Sequence, residues 1–329
     1  MLGALARPLR ALAGVAPLVG LAPRPEARPM GVSALVRVKD EEDWVEASLR
    51  SLEGFADEIV VIDNGSTDGS LERVRALQRT LGAELRVEVA PELDHTALSN
   101  RALLRARFRW VIRWDADFVA HTSGPSALRR LRAVLAAVPA WRHVCLHPAL
   151  VELAGDLGHR LPETAVRYDS HLLTFSPALR YRTQVVRVRG HGRPVAVESL
   201  RLPRYYAIRR WETPAIFHVN VKPARRMLLR HFWQEWWAEQ PGCALEEYVR
   251  RRVEAERGSA SLAVAAEGFV RRYCERLVPF DPTPYGGYPE RLAPALARPR
   301  YRVLYRDGRI VGRSEPAGPV SEPSTRGRA

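Results

Sequence analysis

The chain has 329 residues, 46% hydrophobic and 8% aromatic, enough to build the core of one large domain or two ordinary ones and too apolar for global disorder. A net charge of +14 points to anionic partners, yet every basic residue except Lys39 and Lys222 is arginine, a compositional habit as much as a binding device. No arginine block is interleaved with aromatics, so nucleic acid is not an expected partner, and Cys145, Cys243 and Cys274 lie too far apart for a metal pattern or disulfide framework, which reads as a reducing compartment.

In residues 1–29, Arg7 and Arg10 precede an apolar run from Ala11 to Ala22 that Pro17 breaks and Pro23, Pro25 and Pro29 follow. The run resembles a signal peptide superficially, but it is too short and proline-rich for a membrane span. A disordered leader is expected, or an over-extended start with Met30 as the initiator, and the protein is expected in the cytoplasm. Val32 to Val38 is a β-rich first strand. Lys39 to Asp43 opens a helix with acidic residues in its first turn, and Trp44, Val45, Leu49, Leu52 and Phe55 give its apolar face. Glu58 to Asp63 is a buried strand, Asn64 to Gly69 a turn, and Ser70 to Leu81 a helix. Leu85 to Ala90 is a third strand, and Thr96 to Phe108 a third helix that feeds the strand Trp110–Trp114. This β-α alternation predicts a doubly wound α/β sheet with right-handed crossovers, whose ligands sit at the carboxyl ends of the strands. Asp40, Glu41, Asp63, Asp115 and Asp117 all fall at those ends. The turn after Asp63 lacks the glycine pattern of a dinucleotide site, and no P-loop occurs anywhere in the chain.

The stretch Trp114-Asp115-Ala116-Asp117 closes a buried strand with two carboxylates on alternate residues, which can point the same way. Hard oxygen ligands in this pattern suit Mg²⁺ or Mn²⁺, although an Asp-x-Asp also arises by chance in solvated turns. Asp117 is expected at such a solvated edge, where its removal would spare the fold.

Three blocks taken together, Val32 to Glu41, Ile59 to Gly69 and Trp114 to Asp117, resemble family 2 glycosyltransferases of the GT-A fold, in order and spacing, from residue 32 to about 120. The resemblance implies an inverting, metal-dependent transferase using a nucleotide-diphosphate sugar, with a mixed sheet flanked by helices. It makes Asp115 and Asp117 the DxD pair that holds Mg²⁺ or Mn²⁺, with Asp117 essential to catalysis, and it places Glu41 and Asp63 on the nucleoside. Arg37, Val38, Lys39, Asp40 and Glu41 stand where the family usually carries Pro-x-Tyr-Asn-Glu, so Arg37 takes a donor-contact position. Asn100 is what remains of the family's Ala-Arg-Asn. His218 resembles the C-terminal histidine that joins the metal, and Lys222 is placed to neutralise the leaving diphosphate. The family's Glu-Asp and His-Glu patterns are missing, which leaves Asp169, Glu198 and Glu163 as candidates for the base.

Beyond Leu128–Val138 (helix), Arg142–Leu153 (strand) and Tyr168–Phe175 (strand), the chain from Ala224 to Gln240 reads as a Trp-rich, basic helix. It would either pack on the catalytic domain or lie on a membrane surface near a lipid-linked acceptor. Helices follow at Leu245–Arg257 and Leu262–Leu277, then a hairpin on Asp307-Gly308. The expected organisation is a leader (1–29), a catalytic domain (30–222), a helical extension with a terminal hairpin (223–313) and a disordered tail (314–329). Two other classes stay open: a sugar-nucleotide nucleotidyltransferase, and a non-catalytic relative that binds nucleotide sugar or carbohydrate.

Overall fold

Four parallel strands set the frame. The computed structural model describes residues 14–163, 165–168, 171–188, 192–258 and 261–315. Strands β1 (Val32–Val38), β2 (Glu58–Asp63), β3 (Glu84–Val89) and β4 (Trp110–Asp115) run parallel in the order β3-β2-β1-β4. Helices α1 (Val45–Arg50), α2 (Ser70–Leu77) and α3 (His95–Arg105) connect them. Ala34, Val36, Ile59, Val61, Ile112 and Trp114 share one core with α1 and α2. The alternate residues Leu35, Val60, Ile62 and Val111 pack with Leu98, Ala102 and Leu103 of α3. Both faces are therefore buried, as parallel strands require, which explains the continuous apolar runs.

The second half bends this sheet back on itself. After β4 come β5 (Phe118–Ala120), helix α4 (Leu131–Ala136), β6 (Val144–Ala154), the short β7 (His159–Arg160) and β8 (Val166–Arg167), and then β9 (Leu172–Thr174). Strands β10 (Arg180–Arg187) and β11 (Pro194–Arg201) form an antiparallel hairpin, and β12 (Ala207–Asn220) returns to the sheet. The nine-stranded sheet continues from β4 through β9, β6 and β12 to β5, with β8 on β6. Only Ala116 and Asp117 separate β4 from β5, yet β5 pairs at the far end of the path, so the sheet curls until its ends meet at this corner. The mixed α/β architecture expected from the sequence is observed. The β10–β11 hairpin was not foreseen, because β10 is mostly exposed, β11 is mostly half-buried and no apolar alternation marks either.

Asn100 of α3 fastens that hairpin. Its Oδ1 accepts from Tyr181 N at 2.9 Å and its Nδ2 donates to Tyr181 O at 3.0 Å. The amide expected to face a donor is thus engaged at both ends by backbone, because α3 lies beside β10.

The C-terminal region has its own core. Helices α5 (Ala224–Glu239), α6 (Leu245–Arg257) and α7 (Leu262–Cys274) bury Met227, Leu228, Phe232, Val249, Val253, Ala266 and Val270 together. The short β13 (Val278–Pro279) pairs with β7, and α8 (Ala293–Ala297) precedes the hairpin of β14 (Arg302–Arg306) and β15 (Arg309–Ser314). Asp307 and Gly308 both take positive φ at its turn, as the Asp-Gly pair predicts. The apolar side of α5 is covered by α7 and β11, in keeping with packing on the domain. Among the described residues no helix is long and apolar enough to cross a membrane. Residues ahead of Met30 touch the domain: Pro23 O meets His143 Nε2 at 3.1 Å, and the Arg28 guanidinium lies over Phe175.

Replacing Asn100 by Ala removes both hydrogen bonds to Tyr181 and should cost about 1–3 kcal/mol in urea unfolding, while leaving any nucleotide-induced stabilisation in place. An unchanged unfolding midpoint would contradict this fastening role.

Candidate functional site

Two loops at the carboxyl ends of β1 and β2 form a laced rim. Asp63 is buried, and its oxygens accept from Ser66 Oγ at 2.6 Å and Ser66 N at 2.9 Å, an Asx-type turn. Asp40 adopts φ 52°, a left-handed conformation that Asp tolerates, and its Oδ1 accepts from Thr67 N at 2.7 Å. Ser70 Oγ accepts from Glu41 N at 2.6 Å, and Lys39 Nζ donates to Gly65 O at 2.6 Å. The carboxylate expected to face a nucleoside, that of Asp63, instead shapes the turn from within, because both of its oxygens point back to Ser66.

Behind the rim lies a buried chain of alternating charge. Arg226 donates to Glu41 Oε1 at 2.6 Å, and Lys222 Nζ bridges Glu41 Oε1 at 2.6 Å to Asp117 Oδ2 at 2.7 Å. The same Asp117 oxygen lies 3.2 Å from His218 Nε2, whose Nδ1 meets both Glu152 oxygens at 3.0 Å. Arg167 closes the line 3.4 Å from Glu152. Strand register sets this geometry: on β12, His218 stands opposite Phe118 of β5 on one side and Glu152 of β6 on the other. Burial alone would lower the His218 pKa, but the Asp117 and Glu152 carboxylates overcome it and push the ring up to about 10. Burial likewise raises Asp117, yet Lys222 and His218 hold it well below the usual carboxylate range. The expectation of a solvated Asp117 is corrected: it is 2% exposed, and truncation to Ala would strand two buried cations.

A second network holds Asp115. Its carboxylate accepts from Arg37 at 3.2 Å and Arg113 at 3.0 Å, and these cations overcome burial to depress its pKa. Arg37 also meets Glu198 at 3.0 Å, Ser99 Oγ at 2.7 Å and His95 Nε2 at 2.7 Å. Glu198 accepts from Ser99 Oγ at 2.6 Å as well. The His95 ring sits edge-on to Trp233 and Trp237 of α5, with centroids 4.8 and 5.6 Å away.

The structure therefore brings Arg37, Glu41, Asp115, Asp117, Glu198, His218 and Lys222 together around one corner. Glu163 lies apart on the surface, paired with exposed Arg276 at 3.1 Å, and Asp169 lies outside the described residues. Lys222, expected to neutralise the leaving diphosphate, is only 1% exposed and held between two carboxylates. Sequence reasoning missed Glu152, His95, Ser99 and Arg226. Only Glu152 carried a signal, as a lone acid in the otherwise apolar run Leu150-Val151-Glu152-Leu153.

Among the described residues no group of three His, Cys, Asp or Glu is arranged to hold a metal. The Asp117–His218 pair offers the carboxylate and imidazole donors a divalent ion takes, provided the ion displaces the proton that Asp117 and Glu152 hold on the ring. Glu152 fixes the imidazole through Nδ1 and aims Nε2 at the Asp117 oxygen, the arrangement a metal-ligating histidine requires. Glu41 Oε2 is the one buried carboxylate oxygen without a partner among the described residues, which marks this cluster as short of a donor or cation. Asp115 does not join the pair, because Arg37 and Arg113 hold its carboxylate.

The His95 ring is held neutral: burial, then the Arg37 charge, lower its pKa to about 2. An unfolded histidine titrates near ~6.5, so below that pH the unfolded chain takes up a proton that the fold refuses. The stability is complete above the unfolded pKa and is lost as pH falls. Between pH 7.5 and 5.0 the native protein should lose up to about 2 kcal/mol more than His95→Gln, read from urea midpoints. Equal losses in the two proteins would contradict the neutral ring.

The family described as Glycosyl transferase family 2 matches residues 33–134, which contain β1 to β5 and both carboxylates of the corner. An uncharacterized glycosyltransferase of Rickettsia typhi is 31% identical over 86 residues, 26% of this chain and 27% of the relative, and one of Rickettsia bellii is 30% identical over the same length. The chain thus matches about a quarter of the length of these curated relatives. Among solved structures, Staphylococcus aureus TarS 1-349 is 24% identical with a TM-score of 0.32, covering 38% of this chain and 37% of that one. The mannosyltransferase PcManGT from Pyrobaculum calidifontis, solved with GDP-Man and Mn²⁺, is 23% identical with a TM-score of 0.30, covering 46% and 47%. Likeness at that level leaves the architecture to be read from the sheet order itself. Residues 33–134 are thus similar to glycosyl transferase family 2, over about a third of the chain.

Proposed function

We propose that the protein transfers a sugar from a nucleoside-diphosphate donor to a hydroxyl acceptor at the corner where β4 passes into β5. The observation that carries this reading is that the family match contains a strand-end carboxylate, Asp117, that the fold joins to an oriented histidine. Ligands of doubly wound sheets bind at this end of the strands.

The reaction is a direct displacement, in which the acceptor oxygen bonds to the anomeric carbon as the bond to the diphosphate breaks and a base takes the acceptor proton. Asp117 and His218 are the residues that would hold Mg²⁺ or Mn²⁺, whose chemistry there is neutralisation of charge on the leaving diphosphate. The laced loops after β1 and β2 give the nucleoside a rigid rim, with Asp63 acting through the turn it shapes. Of the base candidates, Glu198 is the one that reaches the corner, as a partner of Arg37 and Ser99. We assign it to holding Arg37 against Asp115.

Asp117→Asn keeps the volume and a hydrogen-bonding group beside Lys222 and His218, so the fold should survive as judged by circular dichroism. Turnover of the donor, found by screening uridine, guanosine, thymidine and cytidine diphosphosugars with Mn²⁺, should fall at least ~100-fold, the scale of removing an oriented electrostatic group. Undiminished turnover in the folded variant, or in excess chelator, would contradict the role of Asp117 and the ion.

A further inference from the structure

One face of α5 looks onto the corner. Arg226, Arg230, Trp233 and Trp237 are spaced four, three and four residues apart, which puts them within roughly 60° of one another around the helix. Both ends of this stripe are anchored. Arg226 reaches Glu41 at 2.6 Å, and the Trp233 and Trp237 rings abut His95, itself bonded to Arg37. Arg230 therefore lies between Glu41 and His95, above the ends of β1 and β4. It is exposed, and it forms no ion pair among the described residues. Its charge nonetheless acts on both Asp117 and His95, lowering the pKa of each. By contrast Lys222 is enclosed between Glu41 and Asp117, Arg37 is committed to Glu198 and Asp115, and Arg226 to Glu41.

We propose that Arg230 binds the diphosphate of the donor and of the departing nucleoside diphosphate, the role expected of Lys222. A guanidinium suits the task, since its planar donors meet phosphate oxygens in pairs and it stays charged at every relevant pH. Placed on a helix rather than on the sheet, it can approach the ligand from the side opposite the buried ionic chain. This inference rests on the glycosyl-transfer reading of the same corner, and the test separates the two.

Calorimetric titration of the full chain with UDP, GDP, dTDP and CDP, and with the matching monophosphates, should be made in Mn²⁺ on the native protein, Arg230→Gln and Arg230→Lys. The native protein should bind one diphosphate at least about tenfold more tightly than its monophosphate, the scale of one or two charge-assisted hydrogen bonds. Arg230→Gln should bring that ratio close to one while leaving monophosphate affinity within about twofold, and Arg230→Lys should restore part of the preference. A ratio in Arg230→Gln equal to the native one overturns the assignment of Arg230 and leaves the transferase reading standing. A native protein that binds none of the nucleotides overturns the transferase reading, and the assignment with it.

Discussion

The corner depends on four buried charges in a row, Lys222, Asp117, His218 and Glu152, each within hydrogen-bonding distance of the next. Moving such groups out of water costs several kcal/mol per ion, which only close, well-aligned partners offset. Every member is therefore needed by its neighbours, and removing one is expected to strand a charge at a cost of about 3–5 kcal/mol. Well-packed apolar residues of similar volume could hold such a corner equally well, so stability does not explain the chain. The proposed site uses what the chain does provide, an Asp117 held in one fixed direction.

The fold supplies that direction through strand register. The two-residue passage from β4 to β5 forces the sheet to curl, and the curl brings β12 between β5 and β6. His218 and Glu152 then stand side by side on one face, since residues opposite one another in neighbouring strands share a side. Trp44 Nε1 donates to Val221 O at 2.6 Å and ties the start of α1 to the end of β12. The first β-α-β unit and the returning strand are thereby locked together across the site. Above this rigid floor, α5 and the β10–β11 hairpin contribute Arg226, Trp233 and Glu198, so the walls come from segments far apart in the chain.

How much of this was legible follows from where the apolar residues sit. Strands β1, β2 and β4 bury both faces, so their sequences are mostly apolar with acids at or just beyond their ends, and both the fold and the strand-end carboxylates could be read directly. His218 could be singled out only through the family resemblance, since a lone polar residue in an apolar strand is usually structural. Glu152 interrupts one equally, but nothing local says which strand it will neighbour, and pairing with His218 is a fact of the curled sheet. Asn100, Asp63 and Lys222 carry the right chemistry for a donor site, yet a carboxylate can turn onto its own loop and a lysine can be enclosed by two acids. Such partners are set by three-dimensional packing. The β10–β11 hairpin, with few buried positions, left no periodic trace and hid the setting of Glu198.

The central claim is that a nucleoside diphosphate is held where β1, β2 and β4 end, beneath α5. Amide hydrogen exchange read by mass spectrometry, with and without a nucleoside diphosphate in Mn²⁺, tests it most directly, because bound ligand slows local opening of the segments it contacts. The account predicts protection in peptides covering residues 39–44, 64–70, 115–121 and 224–237, with little change in β14 and β15. Protection confined to other surfaces, or none at saturating nucleotide, would contradict it.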